Sequence, residues 1–332
     1  MKMAAVAKLG QLVTDASIIL ILQPDKPDGD SVASALALEE LLADMGKTIH
    51  HFCAGRVEPY LGYLPGWDRI SDEWPGRYDL SLAVDIAGDA LIPRLLEQHK
   101  PQLLTKPAAV LDHHTSDIKL SFASLEVFDA AAAATGELIY LVAKKLHWPI
   151  NQRAAEYLIA SIQADTLNLS TPSTSTRTVA AFARLVKQGN VSLSSLSRRF
   201  RDATALDPDI MQLKGRLLAQ VEFYADSQLA VLVVSGDLLK QYRQRTSLSA
   251  IVFNDMLHVR GVKIAAVMND YGTLVRVLLR ARVPIAAELA EAYGGGGHPM
   301  AASFASNDKT LPEIKQDCIQ LAARLLQQHE TN

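Results

Sequence analysis

Pro107-Ala-Ala-Val-Leu-Asp112-His113-His114 is an apolar run that stops on three consecutive ionisable residues. A strand buried inside a sheet has no reason to end this way unless its end opens onto a site. In open α/β sheets, ligands sit outside the carboxyl ends of the strands. Two other apolar runs finish alike. Ser17-Ile-Ile-Leu-Ile-Leu22 leads into Pro27-Asp28-Gly29-Asp30, and Leu80-Ser-Leu-Ala-Val84 closes on Asp85. Three strands therefore bring carboxylates and imidazoles toward one edge of a single sheet.

Working outward from these runs, strands are expected at 17–22, 48–52, 80–85, 108–112 and 122–128. Helices are expected over 1–16, from a Ser31 cap through Leu42, and over 91–98, 130–146 and 154–162, the last ending at Ala164-Asp165-Thr166. Residues 59–75, rich in proline, glycine and aromatics, read as irregular. This alternation predicts an α/β fold, a doubly wound and mostly parallel sheet with helices on both faces. After a Ser/Thr-rich loop and a helix to Gly189, residues 191–215 read as a polar helical connector. Arg198, Arg199 and Arg201 there form a solvated face. A second pattern follows, with strands at 229–234, 262–268, 274–279 and 301–304 and helices at 247–257 and 285–292. The expected division is thus 1–190, a connector over 191–215, and a smaller C-terminal α/β domain over 216–332, with a cleft between the two domains.

A chain of 332 residues, 49% hydrophobic and 21% charged, is long enough for two domains with a core each. A net charge of −3 argues against wrapping a long duplex, which needs a broad basic footprint. Cys53 and Cys318 are far apart and in no metal-ligand spacing, so they read as reduced thiols of a cytoplasmic protein. Nothing near the N-terminus reads as a signal peptide, and no apolar run approaches the ~20 residues of a membrane span.

The ionisable residues each have a plain reading beside a chemical one. Asp28 and Asp30 flank Gly29 in an ideal turn sequence. They equally suit a pair of cations, which two-metal phosphoryl-transfer sites hold about 3.5–4 Å apart. Asp85 reads as a helix cap or a ligand, and Asp165 as a polar helix end or a ligand. Carboxylates mixed with the imidazoles of His113 and His114 suit Mn²⁺ or Mg²⁺. Gly294-Gly-Gly-Gly297 before His298 exceeds what a helix C-cap requires and offers backbone N–H groups to a phosphate. Arg280, at a strand end, could reach the same anion. His50, His51 and His258 fall in strand and helix patterns and read as packing or surface residues.

The ordered set Pro27-Asp-Gly-Asp30, Val84-Asp85, Asp112-His-His114, Gly136-Glu137-Leu138, Ala164-Asp165-Thr166 and Gly294-Gly-Gly-Gly-His298 resembles the DHH phosphoesterase family with a C-terminal DHHA1 domain. The match is nearest to its nanoRNase/oligoribonuclease and pAp-phosphatase branch, related to RecJ-type exonucleases. The resemblance implies one or two Mn²⁺ or Mg²⁺ ions, with Asp28 and Asp85 holding the first and Asp30, Asp85, His113 and Asp165 the second. Asp85 would bridge the ions and, with His114 on the scissile phosphate, form the catalytic centre. Arg280, Gly296, Gly297 and His298 would bind the far end of the substrate. The implied function is metal-dependent hydrolysis of short single-stranded oligonucleotides, pAp or linear dinucleotides. A catalytically weakened nucleotide-binding protein and a cyclic-dinucleotide phosphodiesterase are the alternatives, and a homodimer is left open. Two positions depart from the family pattern. Pro24 stands where the first ion usually has a histidine, with Gln23 and Asp25 as the neighbouring substitutes, and Ala281 replaces the serine after the arginine.

Overall fold

The computed structural model describes residues 1–114, 120–242 and 245–331. The chain divides into two compact units, Met1–Ala205 and Leu206–Asn332. The helical stretch 191–215 is shared between them, because α7 (Leu193–Ala203) lies in the first and α8 (Pro208–Leu218) in the second.

In the first unit, β1 (Ile18–Leu22), β2 (Thr48–Phe52), β3 (Leu80–Val84), β4 (Ala108–Asp112) and β5 (Leu125–Phe128) form one sheet in the order β2-β1-β3-β4-β5. Every neighbouring pair is parallel. Successive strand residues point to opposite faces, and both faces of this sheet are covered. Ile19, Ile21, Leu82, Val84, Ala109 and Leu111 pack beneath α1 (Met3–Asp15), α2 (Gly29–Ala43), α4 (Thr135–Leu146) and α5 (Gln152–Asp165). Leu20, Leu22, Ala83, Ala108 and Val110 pack toward α3 (Pro93–Leu103), which contributes Leu95 and Leu103. That is why these strands read as continuous apolar runs. The order places β1 and β3 side by side where the winding reverses, so their carboxyl ends flank the crevice that binds ligands in such sheets.

Several element ends differ from the sequence-based expectation, and at α2 and α4 the hydrogen bonds give a local cause. The cap of α2 is Asp28 rather than Ser31. Asp28 accepts from the Ser31 amide while the Ser31 hydroxyl accepts from the Asp28 amide, a reciprocal box that makes Ser31 the third helical residue. α4 begins at Thr135 rather than near Ala130, because Asp129 turns the chain by accepting from the Ala131 amide with its carboxylate and the Ala132 amide with its carbonyl. Residues 59–75 contain two short 3-10 turns, Pro59–Tyr63 and Trp67–Arg69.

The second unit is a six-stranded sheet in the order β10-β11-β9-β8-β7-β6. Its strands are β6 (Glu222–Tyr224), β7 (Leu229–Ser235), β8 (Ile264–Asp270), β9 (Val275–Ala281), β10 (Gly296–His298) and β11 (Ala301–Ser306). Only β7 and β8 pair in parallel. One face is covered by α8, α9 (Gly236–Tyr242) and α10 (Leu248–His258), and the other by α11 (Ala286–Glu291) and α12 (Leu311–Thr331). Among the described residues, no helix is long and apolar enough to cross a membrane.

The glycine run after α11 is largely a packing device. Gly294 has φ of 72°, and the Gly294 and Gly295 amides donate to the Glu291 and Ala290 carbonyls, so the first two residues close the helix. A Cβ on Gly295 would lie 2.3 Å from the Ser303 carbonyl oxygen and 2.4 Å from Phe304 Cβ. A Cβ on Gly297, whose φ is 146°, would lie 2.6 Å from the Ala301 carbonyl oxygen. Gly294 and Gly296 face open space, and of the two only Gly296 lacks a left-handed backbone. Gly295→Ala is therefore expected to destabilise the protein by about 1–3 kcal/mol. Gly296→Ala should stay within about 0.5 kcal/mol of the parent. Denaturant unfolding of the two variants checks this contrast.

Candidate metal centre

Asp30 is fully buried in the first turn of α2, and its carboxylate is held from three helices. The Thr135 amide donates to Oδ2 at 2.7 Å and the Gly136 amide to Oδ1 at 3.4 Å, both from the start of α4. The Ser34 hydroxyl donates to Oδ1 at 3.0 Å, and Ser161 on α5 makes a very short hydrogen bond to the same oxygen. Asp85 follows β3 in a left-handed conformation, φ 59°, which a non-glycine residue adopts rarely and at a cost. The Thr135 hydroxyl donates to its Oδ1 at 2.9 Å. One residue pair at the head of α4 thus orients the carboxylates from two different strand ends.

The two histidines after β4 are each fixed through Nδ1, which leaves Nε2 free to work. His113 Nδ1 lies 3.2 Å from the Ala132 carbonyl oxygen and carries a proton, which turns Nε2 toward the carboxylates as the atom that could bind a cation once deprotonated. That Nε2 is buried with no well-formed hydrogen bond, although Asp165 Oδ2 is 3.0 Å away, Asp30 Oδ2 3.6 Å and Asp85 Oδ1 3.8 Å. Fully buried Asp112 takes both the His114 amide, at 3.1 Å, and His114 Nδ1, at 2.6 Å, on its Oδ1.

The structure brings together ligand atoms of Asp30, His113 and Asp165 in one set and of Asp85, His113 and His114 in another, the atoms of each within 4.8 Å of one another. Asp28 stands outside both sets, although its charge and that of Asp165 act on each other. Asp25 accepts the Arg94 amide on Oδ2 at 3.0 Å and Gln23 Nε2 donates to the Ser31 carbonyl at 3.3 Å, while Asp25 Oδ1 and Gln23 Oε1 are buried without a hydrogen-bond partner. The other four expected contact residues lie in the second unit. Arg280 pairs across the ladder with Ala301, and Ala301 with His298, so all three side chains share one face beside Gly296 and Gly297. The Arg280 guanidinium lies 5.5 Å from the Phe253 ring centroid. Sequence reasoning gave no role to Ser34, Thr135 and Ser161. Ser34 lies one turn from Asp30 and could have been found by its spacing, whereas the Thr135 and Ser161 hydroxyls meet partners 50 and 131 residues away, which no local pattern marks.

Burial dominates the electrostatics. It pushes the Asp30 carboxyl up to about 7, with the Asp165 charge adding to the rise. Burial and then the Asp30 charge hold Asp85 well above the usual carboxylate range, and burial likewise raises Asp28. Burial opposes protonation of His113, but the neighbouring Asp165 and Asp30 carboxylates outweigh it and raise the imidazole to about 9. The Asp112 hydrogen bond raises His114. Among the described residues, no lysine or arginine forms an ion pair with Asp28, Asp30, Asp85 or Asp165. Hard oxygen donors, an imidazole nitrogen among them and a cluster of carboxylates that no lysine or arginine offsets fit a divalent cation of the Mn²⁺ or Mg²⁺ kind, which would take the place of the protons.

Residues 18–162 match the DHH family, N-terminal domain. That match lies within the first unit. Across 90% of the chain, the sequence is 24% identical to the bifunctional oligoribonuclease and PAP phosphatase NrnA of Bacillus subtilis (strain 168), of which it covers 94%. The fold is that of an exopolyphosphatase-related protein from Bacteroides fragilis, with a TM-score of 0.87 at 17% identity over 98% of each chain. RecJ of Thermus thermophilus, solved with Mn²⁺, is also similar, with a TM-score of 0.56 at 16% identity. That match spans 97% of this chain and 54% of RecJ.

The pH dependence of the first unit follows from these groups. Asp30, Asp85 and Asp28 hold protons more tightly folded than unfolded. Their contribution is thus complete below the ordinary carboxylate range near 4 and is lost as pH rises, for Asp30 through about 7. His113 has the same sign, its contribution complete below about 6.5 and lost as pH rises through about 9. A cation replaces those protons and removes the penalty. The gap in melting temperature between Mn²⁺ and chelator should therefore widen as pH is raised from about 5 to about 8, which scanning calorimetry measures. A gap that is flat or narrows with pH contradicts this electrostatic account.

Proposed function

We propose that the chain is a metal-dependent phosphodiesterase that hydrolyses short oligonucleotides, and pAp or linear dinucleotides, at the carboxyl edge of the parallel sheet. The observation that carries this reading is the convergence of Asp30, Asp85, His113, His114 and Asp165 there. Its support from relatives is NrnA of Bacillus subtilis, named as an oligoribonuclease and PAP phosphatase, together with the Mn²⁺ bound in the RecJ structure.

In this reading Asp30, Asp85, His113 and Asp165 hold one ion, and Asp28 with Asp85 holds a second. The Pro24 side chain supplies no ligand to that second ion, and Asp25 gives one of its two oxygens to the Arg94 amide. A divalent cation supplies positive charge for the phosphoryl oxygens and acidifies water for attack on phosphorus. The protein contributes position. The Thr135 hydroxyl fixes the rotamer of Asp85, and Asp112 holds His114 Nδ1–H so that Nε2–H can donate to a phosphate oxygen. Because Asp112 raises the His114 pKa, the imidazole stays cationic to higher pH and the donated bond is charge-assisted. In the C-terminal unit, Arg280, Gly296, Gly297 and His298 form a row that suits a further phosphate or sugar contact, and Gly296 leaves space for it.

With Mn²⁺ and labelled di- and trinucleotide RNA, the purified chain is expected to release mononucleotides. Asp85→Ala and His114→Ala should each lower kcat by about 100-fold or more. Nucleotide binding without turnover in Mn²⁺, Mg²⁺ or Co²⁺ would favour a regulatory binding protein, the reading that Pro24 motivates. An Asp85→Ala variant as active as the parent would rule out the proposed centre.

A further inference from the structure

A cavity of ≈ 620 Å³ opens beside the metal carboxylates, entirely within the first unit. Asp28 and Asp165 line one part of it, and Tyr60, Leu167, Phe200 and Arg201 are among the other walls. Its volume is in the range of small-ligand sites, about 300–1,000 Å³. The apolar side chains are not hidden in it as core residues would be. Tyr60 is 40% exposed, Phe200 43% and Leu167 68%. Large apolar groups gathered around one cavity rather than scattered over a surface mark a binding site.

Separate elements hold these side chains in place. α7 packs on the 3-10 turn Pro59–Tyr63, and buried Tyr63 meets Phe200 edge-on, with ring centroids 5.1 Å apart and planes at 87°. Leu167 is pushed outward by an unusual turn at the end of α5. Leu167, Asn168 and Leu169 all have left-handed backbones, with φ of 46°, 60° and 67°. The turn is pinned by the Asn168 amide on the Gln163 carbonyl at 2.9 Å and by the Leu169 amide on the Thr166 hydroxyl at 2.9 Å. Consecutive non-glycine residues are seldom held this way, and such strain concentrates at functional sites. Gln163 Nε2 donates to Asn168 Oδ1 at 3.0 Å, so amide groups stand at the rim. Among the described residues, Arg201 makes no ion pair, which leaves its guanidinium available at the same wall.

We infer that this cavity is a nucleobase subsite, in which Tyr60 and Phe200 stack the base of the nucleotide whose phosphate sits at the metal carboxylates. The inference rests on the proposed phosphodiesterase reading and adds to it the surface that grips the reacting end of the substrate. Stacking on aromatic faces tolerates every base, so this subsite selects for a nucleoside at the scissile phosphate without selecting a sequence. Asn168, Gln163 and Arg201 offer donors to a base edge or to the sugar-phosphate.

The test uses the full chain with Mn²⁺ and two RNA dinucleotides, each carrying the fluorescent adenine analogue 2-aminopurine at one of its two positions. Stopped-flow mixing reads quenching on binding, and mononucleotide release is followed in the same mixture. The parent should quench one of the two labels. Phe200→Ala and Tyr60→Ala should each raise the concentration for half-quenching about tenfold or more. Phe200→Trp should restore it, and Phe223→Ala, on an exposed edge strand of the other unit, should match the parent. Both alanine sites are substantially exposed, and a variant that fails to fold by circular dichroism leaves the other to decide. No quenching at either position, or quenching that both alanine variants preserve, overturns the subsite. Quenching of the predicted kind without mononucleotide release overturns the phosphodiesterase reading and leaves the subsite standing.

Discussion

The constraint on which the first unit depends is the burial of Asp30. Its carboxylate is fully out of solvent, yet it accepts hydrogen bonds from two backbone amides of α4 and from hydroxyls on α2 and α5. Those bonds tie the three helices that cover one face of the sheet to a single anionic point. The head of α4 suits the task, since the first amides of a helix are unsatisfied and carry partial positive charge. What the bonds do not supply is a counter-charge. Asp85 and Asp165 lie around the same imidazole, and without a cation Asp30 and Asp85 keep protons that carboxylates ordinarily lose. The fold therefore concentrates negative charge in low dielectric and leaves a cation to resolve it.

Topology explains how the group is assembled from distant segments. In a parallel sheet every strand ends at the same edge, so residues after β1, β3 and β4 meet without any long loop. The reversal of winding between β1 and β3 opens the crevice, and the left-handed backbone at Asp85 turns its carboxylate into it. Asp112 and Ala132 then do for the histidines what the α4 amides do for Asp30, fixing each ring through Nδ1. The same edge is bounded by the aromatic cavity, so reactive groups and a stacking surface are contiguous within one unit.

Much of this was legible in the sequence because strand ends are conspicuous. Apolar runs that halt on Asp, or on Asp-His-His, report both the strand and the edge it faces. Glycine was less transparent. Four in a row suggested an anion loop, whereas Gly294 ends a helix and Gly295 and Gly297 let β10 lie against β11, which leaves Gly296 as the one without a packing reason. The Asp28-x-x-Ser31 spacing offers two caps, and only the reciprocal hydrogen bonds show which is first. β6 and α9 left no periodic signal, since β6 is a short exposed edge strand and α9 a helix of two turns. The Thr135 and Ser161 hydroxyls could not be found locally, because their positions depend on how α2, α4 and α5 pack. Tyr60 and Phe200 belonged to segments that read as irregular and as a solvated helix, and they share a cavity only through the docking of α7 on the 3-10 turn.

The central claim, that this edge is built for a divalent cation, is tested most directly by anomalous diffraction from crystals soaked in Mn²⁺. The account predicts a strong anomalous peak coordinated by Asp30, Asp85, His113 and Asp165, with any second ion beside Asp28 weaker because Pro24 gives it nothing. A map without a peak among those four side chains, at a Mn²⁺ concentration that fills other sites on the protein, would contradict it.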